Sequence, residues 1–134
     1  MINFFFDTAD IDYVKNAWAK LKGTVDPKHV VGVTTNPNAF SKVDMLDLKQ
    51  WEEHLPRLCE VVSEIRGGGG GVVYVQAPNS DMTPDQVVNW ARHISQFDDG
   101  TTKLGLKIPP FKPILDAIDH LNPIMEVNVT GVAD

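Results

Sequence analysis

Short apolar runs that alternate with helix-period segments constrain this chain more than any other feature. Ile2–Phe6 is an apolar run bounded by Asp7 and reads as a buried strand. Ile11, Val14, Trp18 and Leu21 then recur at steps of three and four, which marks one face of a helix. Val30–Val33 reads as a second strand, and Thr34-Thr35-Asn36-Pro37-Asn38 after it reads as a polar turn. Leu48, Trp51, Leu55, Leu58, Val62 and Ile65 form the strongest helical stripe, with Pro56 inside it expected to bend or interrupt the helix. The glycine run Gly67–Gly71 ends that helix as a flexible surface connection, and Val72–Gln76 is the third strand. Thr83-Pro84-Asp85-Gln86 has the form of a capping box and opens a helix carrying Val87, Ala91, Ile94 and Phe97 on one face. Leu104–Ile108, about Pro113–Leu121, and Ile124–Val129 complete the series as strand, helix and strand.

Strands that alternate with helices need crossover connections, and these impose parallel pairing with a right-handed wind. The fold class is therefore α/β. Periodicity leaves open whether the sheet is doubly wound or closed into a barrel. At 134 residues the chain fits one domain, and its 43% hydrophobic and 22% charged content is that of a globular protein able to bury a core. The net charge of -6 is scattered, without a basic stripe, so a nucleic-acid partner is not expected. A single cysteine, Cys59, excludes an internal disulfide and fits a reducing compartment. The sequence has no stretch of membrane-spanning length and no secretory leader, so a cytoplasmic location is expected. The four histidines are widely spaced, without a ligand pair one helical turn apart, and neither a metal nor a cofactor is expected.

In parallel α/β folds, ligands bind at the C-terminal ends of the strands. There the sequence places Asp7, then Thr34 and Asn36, then Gln76, Lys107, and finally Asn128 and Thr130. Lys107 is the unusual member, because Leu104, Leu106 and Ile108 around it are apolar. Two readings fit it. Inside a poorly solvated strand, desolvation disfavours the ammonium and frees the amine as a nucleophile toward carbonyls; at a frayed strand end, its head would simply sit in water. Asp7 likewise suits either a ligand site or the N-cap of the first helix. Gln76 suits either a site or a hydrogen bond to the following loop. The glycine run leads into a strand, lacks a following Lys-Ser/Thr and is no phosphate loop. Cys59 lies beside an apolar stripe and reads as packed rather than reactive.

Four segments together resemble the small transaldolase and fructose-6-phosphate aldolase family. They are Phe5-Phe6-Asp7-Thr8-Ala9-Asp10-Ile11, Gly32-Val33-Thr34-Thr35-Asn36-Pro37-Asn38, Leu106-Lys107-Ile108-Pro109 and Val127-Asn128-Val129-Thr130. They occur in the family's order and span essentially the whole chain, and the second is the most specific. Where this chain has Asn38 the family usually has serine. The resemblance implies a (β/α)8 TIM-barrel fold and an imine formed between Lys107 and a ketose such as fructose 6-phosphate. It implies that Asp7 handles the proton of the hydroxyl next to the breaking bond, and that Thr34 and Asn36 hold the sugar, with Asn128 near the imine. Thr130 and the third-strand residue, Gln76, would position the water that carries protons. Glutamate occupies that third-strand position in transaldolases and glutamine in the aldolases.

The family continues through three further strands, which carry its phosphate-binding serine and arginine, whereas this sequence closes at Asp134. The expectation is thus a barrel truncated after the fifth strand, with residues 1–134 as one incomplete domain. Its partner would be a sugar phosphate, with a second copy or another chain completing the barrel. Ile2–Phe6 and Ile124–Val129 would be its unpaired edges. Two functions follow: a Schiff-base aldolase or transaldolase, or a catalytically incompetent half-barrel serving as a structural or binding module. Retention of a lysine within an apolar strand favours the first.

Overall fold

The computed structural model describes residues 2–78, 81–108, 111–118 and 126–129. Its sheet contains β1 (Phe4–Asp7), β2 (Val30–Thr34), β3 (Val72–Gln76), β4 (Lys103–Ile108) and β5 (Glu126–Val129). All four pairings are parallel, and the strands lie side by side in sequence order. The helices are α1 (Ile11–Leu21), α2 (Pro37–Ser41), α3 (Leu48–Arg66), α4 (Pro84–Ile94) and α5 (Lys112–Ile118).

Strand alternation divides the sheet into two unlike faces. Phe6, Val33, Val73, Val75, Leu104, Leu106 and Ile108 point to one side, where they join Val14 of α1, Phe40 of α2, Leu55, Leu58 and Val62 of α3, Val87 and Ala91 of α4 and Ile114 of α5 in a single core. Every helix therefore contributes to one layer. A sequential strand order with helices on one face is the arrangement found within part of a (β/α)8 barrel. It is not that of a doubly wound sheet, whose order reverses and whose helices cover both faces. The opposite face carries Phe5, Asp7, Thr34, Tyr74, Gln76 and Lys107. Gly105 makes room on it for Tyr74, since a Cβ at Gly105 would lie 2.6 Å from two carbons of that ring. The ring meets Phe5 at a centroid distance of 5.8 Å.

Several elements depart from the sequence reading. β1 starts two residues later than Ile2 and runs through Asp7. The polar turn after β2 is in fact the start of α2: Asn36 is its N-cap and Pro37 occupies its first turn, a place where proline's missing N–H costs nothing. Pro56 does not interrupt α3, which runs unbroken over 19 residues. The lost hydrogen bond costs about 3 kcal/mol, but eight buried side chains, among them Leu55, Leu58 and Val62, bind that helix to the core. The glycine run is shaped: Gly67, Gly68 and Gly70 have φ of 68°, 155° and 94°. A Cβ at Gly71 would come within 2.5 Å of Val62 Cγ1. Of the final helix and strand as read, residues 119–121 and 124–125 lie outside the described residues.

Other readings hold. Thr83 and Gln86 form their reciprocal capping box, with Gln86 N–H to Thr83 Oγ1 at 3.3 Å and Thr83 N–H to Gln86 Oε1 at 2.9 Å. Cys59 is fully buried, and burial, reinforced by Asp99 and Asp98, pushes its thiol up to about 12. At the end of the sheet away from the C-terminal strand ends, Ser63 of α3 donates to Asp99 Oδ2 at 2.9 Å and lies 2.6 Å from Thr101 Oγ1. Burial acts to raise the Asp99 carboxyl, but the Thr102 and Thr101 backbone N–H groups and the Ser63 and Thr101 hydroxyls outweigh it and hold the carboxyl below its usual range.

Candidate functional site

The C-terminal ends of β1 and β2 are tied by side chains. Asp7, the last residue of β1, pairs in register with Thr34, whose hydroxyl donates to Asp7 Oδ1 at 2.8 Å. Asp7 is not the cap of α1. Asp10 takes that role, accepting from the N–H groups of Asp12 at 3.0 Å and Tyr13 at 3.2 Å. The Asp7 carboxylate is therefore left at the solvent-exposed strand end, where a ligand can reach it.

Thr35, which sequence reasoning passed over, is fully buried. Its N–H and hydroxyl both donate to the Tyr74 carbonyl, at 2.9 and 2.8 Å. This double tie fixes the chain leaving β2 against β3 and turns the Thr35 carbonyl toward β4. Lys107 Nζ lies 3.4 Å from that carbonyl oxygen. The Lys107 side chain is half-buried, between the enclosed and the solvated alternatives. The signal for Thr35 was its place in the Thr-Thr doublet, because the second threonine falls on the core side of the alternation.

The pairing places Gln76 on one side of Lys107 and Asn128 on the other, each its direct partner in the neighbouring strand. Adjacent strands are about 4.8 Å apart, so the three backbones form one row at the C-terminal end of the sheet. Thr130 lies outside the described residues. Asn36 is partly committed elsewhere, since its Oδ1 accepts the Ala39 N–H at 2.7 Å as the cap of α2. Its amide N–H groups are the donors left to meet a ligand.

A cleft of about 310 Å³ opens beside this row, lined by Asp7, Asp10, Tyr13, Asn36, Asn38 and Lys42 among others. Lys107 and Gln76 do not line it. The structure thus assembles the candidates as two adjoining groups, a polar cleft holding Asp7 and Asn36 and a strand row holding Gln76, Lys107 and Asn128, linked through Thr34 and Thr35. Among the described residues no group of three or more His, Cys, Asp or Glu could hold a metal, and no helix is long and apolar enough to cross a membrane.

No family model matches the chain. A probable transaldolase of Dictyoglomus turgidum is 28% identical over 132 residues, covering 98% of this chain and 51% of that protein. The chain is similar to this protein along nearly its whole length. A probable transaldolase of Syntrophobacter fumaroxidans is 25% identical over 131 residues, covering 98% of this chain and 48% of that protein. The chain spans about half the length of the curated relatives it matches.

Proposed function

We propose that the chain forms the imine-bearing part of a Schiff-base aldolase or transaldolase acting on ketose phosphates such as fructose 6-phosphate. The observation that carries this reading is the strand row in which Lys107 is flanked by Gln76 and Asn128, with Asp7 held by Thr34 at the neighbouring strand ends. A nucleophilic amine, a carboxylate, amides and a hydroxyl are what such a reaction requires.

The Lys107 amine adds to the ketose carbonyl carbon, and loss of water gives an iminium ion. Asp7 accepts the proton of the hydroxyl beyond the bond to be cleaved. That carbon–carbon bond then breaks, its electron pair moves onto the iminium to leave an enamine on Lys107, and the aldehyde departs. Proton return and hydrolysis release dihydroxyacetone, while attack of the enamine on another aldehyde transfers it. Thr34, Asn36 and Asn128 hold the sugar, and Gln76 with Thr130 holds the water of imine formation. Glutamine offers hydrogen bonds but no exchangeable carboxylate proton, which favours release over transfer.

The experiment is a coupled assay for glyceraldehyde 3-phosphate from fructose 6-phosphate. Wild type should release it, whereas Asp7→Asn and Lys107→Met should not. Release by Lys107→Met equal to that of wild type would remove Lys107 as the imine-forming residue, and absence of release by wild type would favour a structural or binding module.

A further inference from the structure

We propose that His54, which reaches the turn after β1 from the helical layer, is a positioning residue for Asp7; the inference rests on the aldolase reading above. His54 belongs to α3 and is 8% exposed. Its Nε2 lies 2.6 Å from the carbonyl oxygen of Ala9, 45 residues away in sequence. A carbonyl can only accept, so Nε2 carries a proton and donates. Ala9 is fully buried and follows Asp7 by two residues.

The turn after β1 is held at three successive residues. Thr8 N–H donates to Thr34 O at 3.0 Å, Ala9 accepts from His54, and Asp10 N–H donates to Thr8 Oγ1 at 3.0 Å. Of these anchors, His54 alone comes from the helical layer and sets the depth of the turn against the core. The same imidazole lies edge-on to Phe40, 6.3 Å between centroids. Phe40 follows the α2 cap Asn36 by four residues and stacks on Trp51 at 4.4 Å. One ring therefore backs both segments that line the polar cleft. A cavity of about 170 Å³, lined by Met45, Gln50, Glu53, His54 and Arg57, borders it.

The test uses the 134-residue chain with His54→Leu, His54→Gln and His54→Glu. Glutamine keeps a donor, whereas an ionised glutamate of the same shape has none to offer the carbonyl. Borohydride trapping of dihydroxyacetone on Lys107 reads imine formation, which does not use Asp7. Cleavage of fructose 6-phosphate uses both residues. We expect all three variants to trap as wild type does. Cleavage kcat should fall about a hundredfold in His54→Leu and His54→Glu with KM little changed, as for a catalytic group displaced by about 1 Å, and His54→Gln should recover most of it. Amide exchange at Asp10 should accelerate in parallel with the kcat loss. Wild-type cleavage by His54→Glu, or unaltered Asp10 exchange in it, would overturn the proposal. Absence of trapping in wild type would count against the aldolase reading instead, and the exchange measurement would still decide whether His54 anchors the turn. Should His54→Leu fail to fold, the glutamine and glutamate pair carries the comparison.

Discussion

Substitution of Gly105 by alanine probes the packing of the face that bears Lys107. The added Cβ would lie 2.6 Å from two Tyr74 ring carbons and 3.0 Å from Val72 Cγ2. Carbon atoms rest at about 3.5–4.0 Å, so the ring has to retreat by about 1 Å. Tyr74 is only 7% exposed, and Phe5 lies against it, which limits that retreat. Overpacking of this kind costs about 1–3 kcal/mol. Alanine also narrows the unfolded ensemble, which returns about 0.4–1 kcal/mol. The net loss should be about 1–2 kcal/mol, read as a shift in the urea unfolding midpoint at constant slope. In a Tyr74→Ala background the new methyl enters space already vacated, so Gly105→Ala should cost nothing further there. A single variant as stable as wild type, or an equal cost in both backgrounds, would refute the steric argument.

Asp99→Asn should lose about 1 kcal/mol at neutral pH, a figure discounted for the exposure of the carboxylate. Because the folded carboxyl is held below its usual value, its contribution is present above about pH 4 and fades as pH falls further; urea midpoints for wild type and variant that stay equally far apart at pH 3 and pH 7 would contradict this. Gln76→Glu should move the balance from release of dihydroxyacetone toward transfer to an aldehyde acceptor, and an unchanged product ratio would remove Gln76 from the proton path. The 134-residue chain by itself should self-associate, since β1 and β5 are the outer strands of the described sheet and Phe5 stands 42% exposed on the face opposite the described helices. Sedimentation showing a monodisperse monomer at micromolar concentration would overturn that expectation.

The strands and long helices were legible because their apolar spacing reports directly which face meets the core. Boundaries and caps were less so. Asp7 and Asp10 are both plausible caps by residue type, and the choice depends on where β1 stops, which its pairing with Thr34 decides. Asn36-Pro37 fits a turn and a helix start equally well, and the burial of Phe40 selects the helix. Pro56 was read by its local cost, whereas the packing of α3 is set by residues far away in sequence. The candidate site was legible as a set of residues at strand ends, but its geometry was not. The flanking of Lys107 depends on register, and the His54–Ala9 bond spans 45 residues, with no trace in the spacing of either.

Borohydride trapping tests the central claim most directly. The chain is incubated with dihydroxyacetone, reduced, digested and mapped by mass spectrometry. A reduced adduct should appear on Lys107 and be lost in Lys107→Met while that variant keeps its fold. An adduct retained at wild-type level in Lys107→Met, or located on another lysine, would contradict the account.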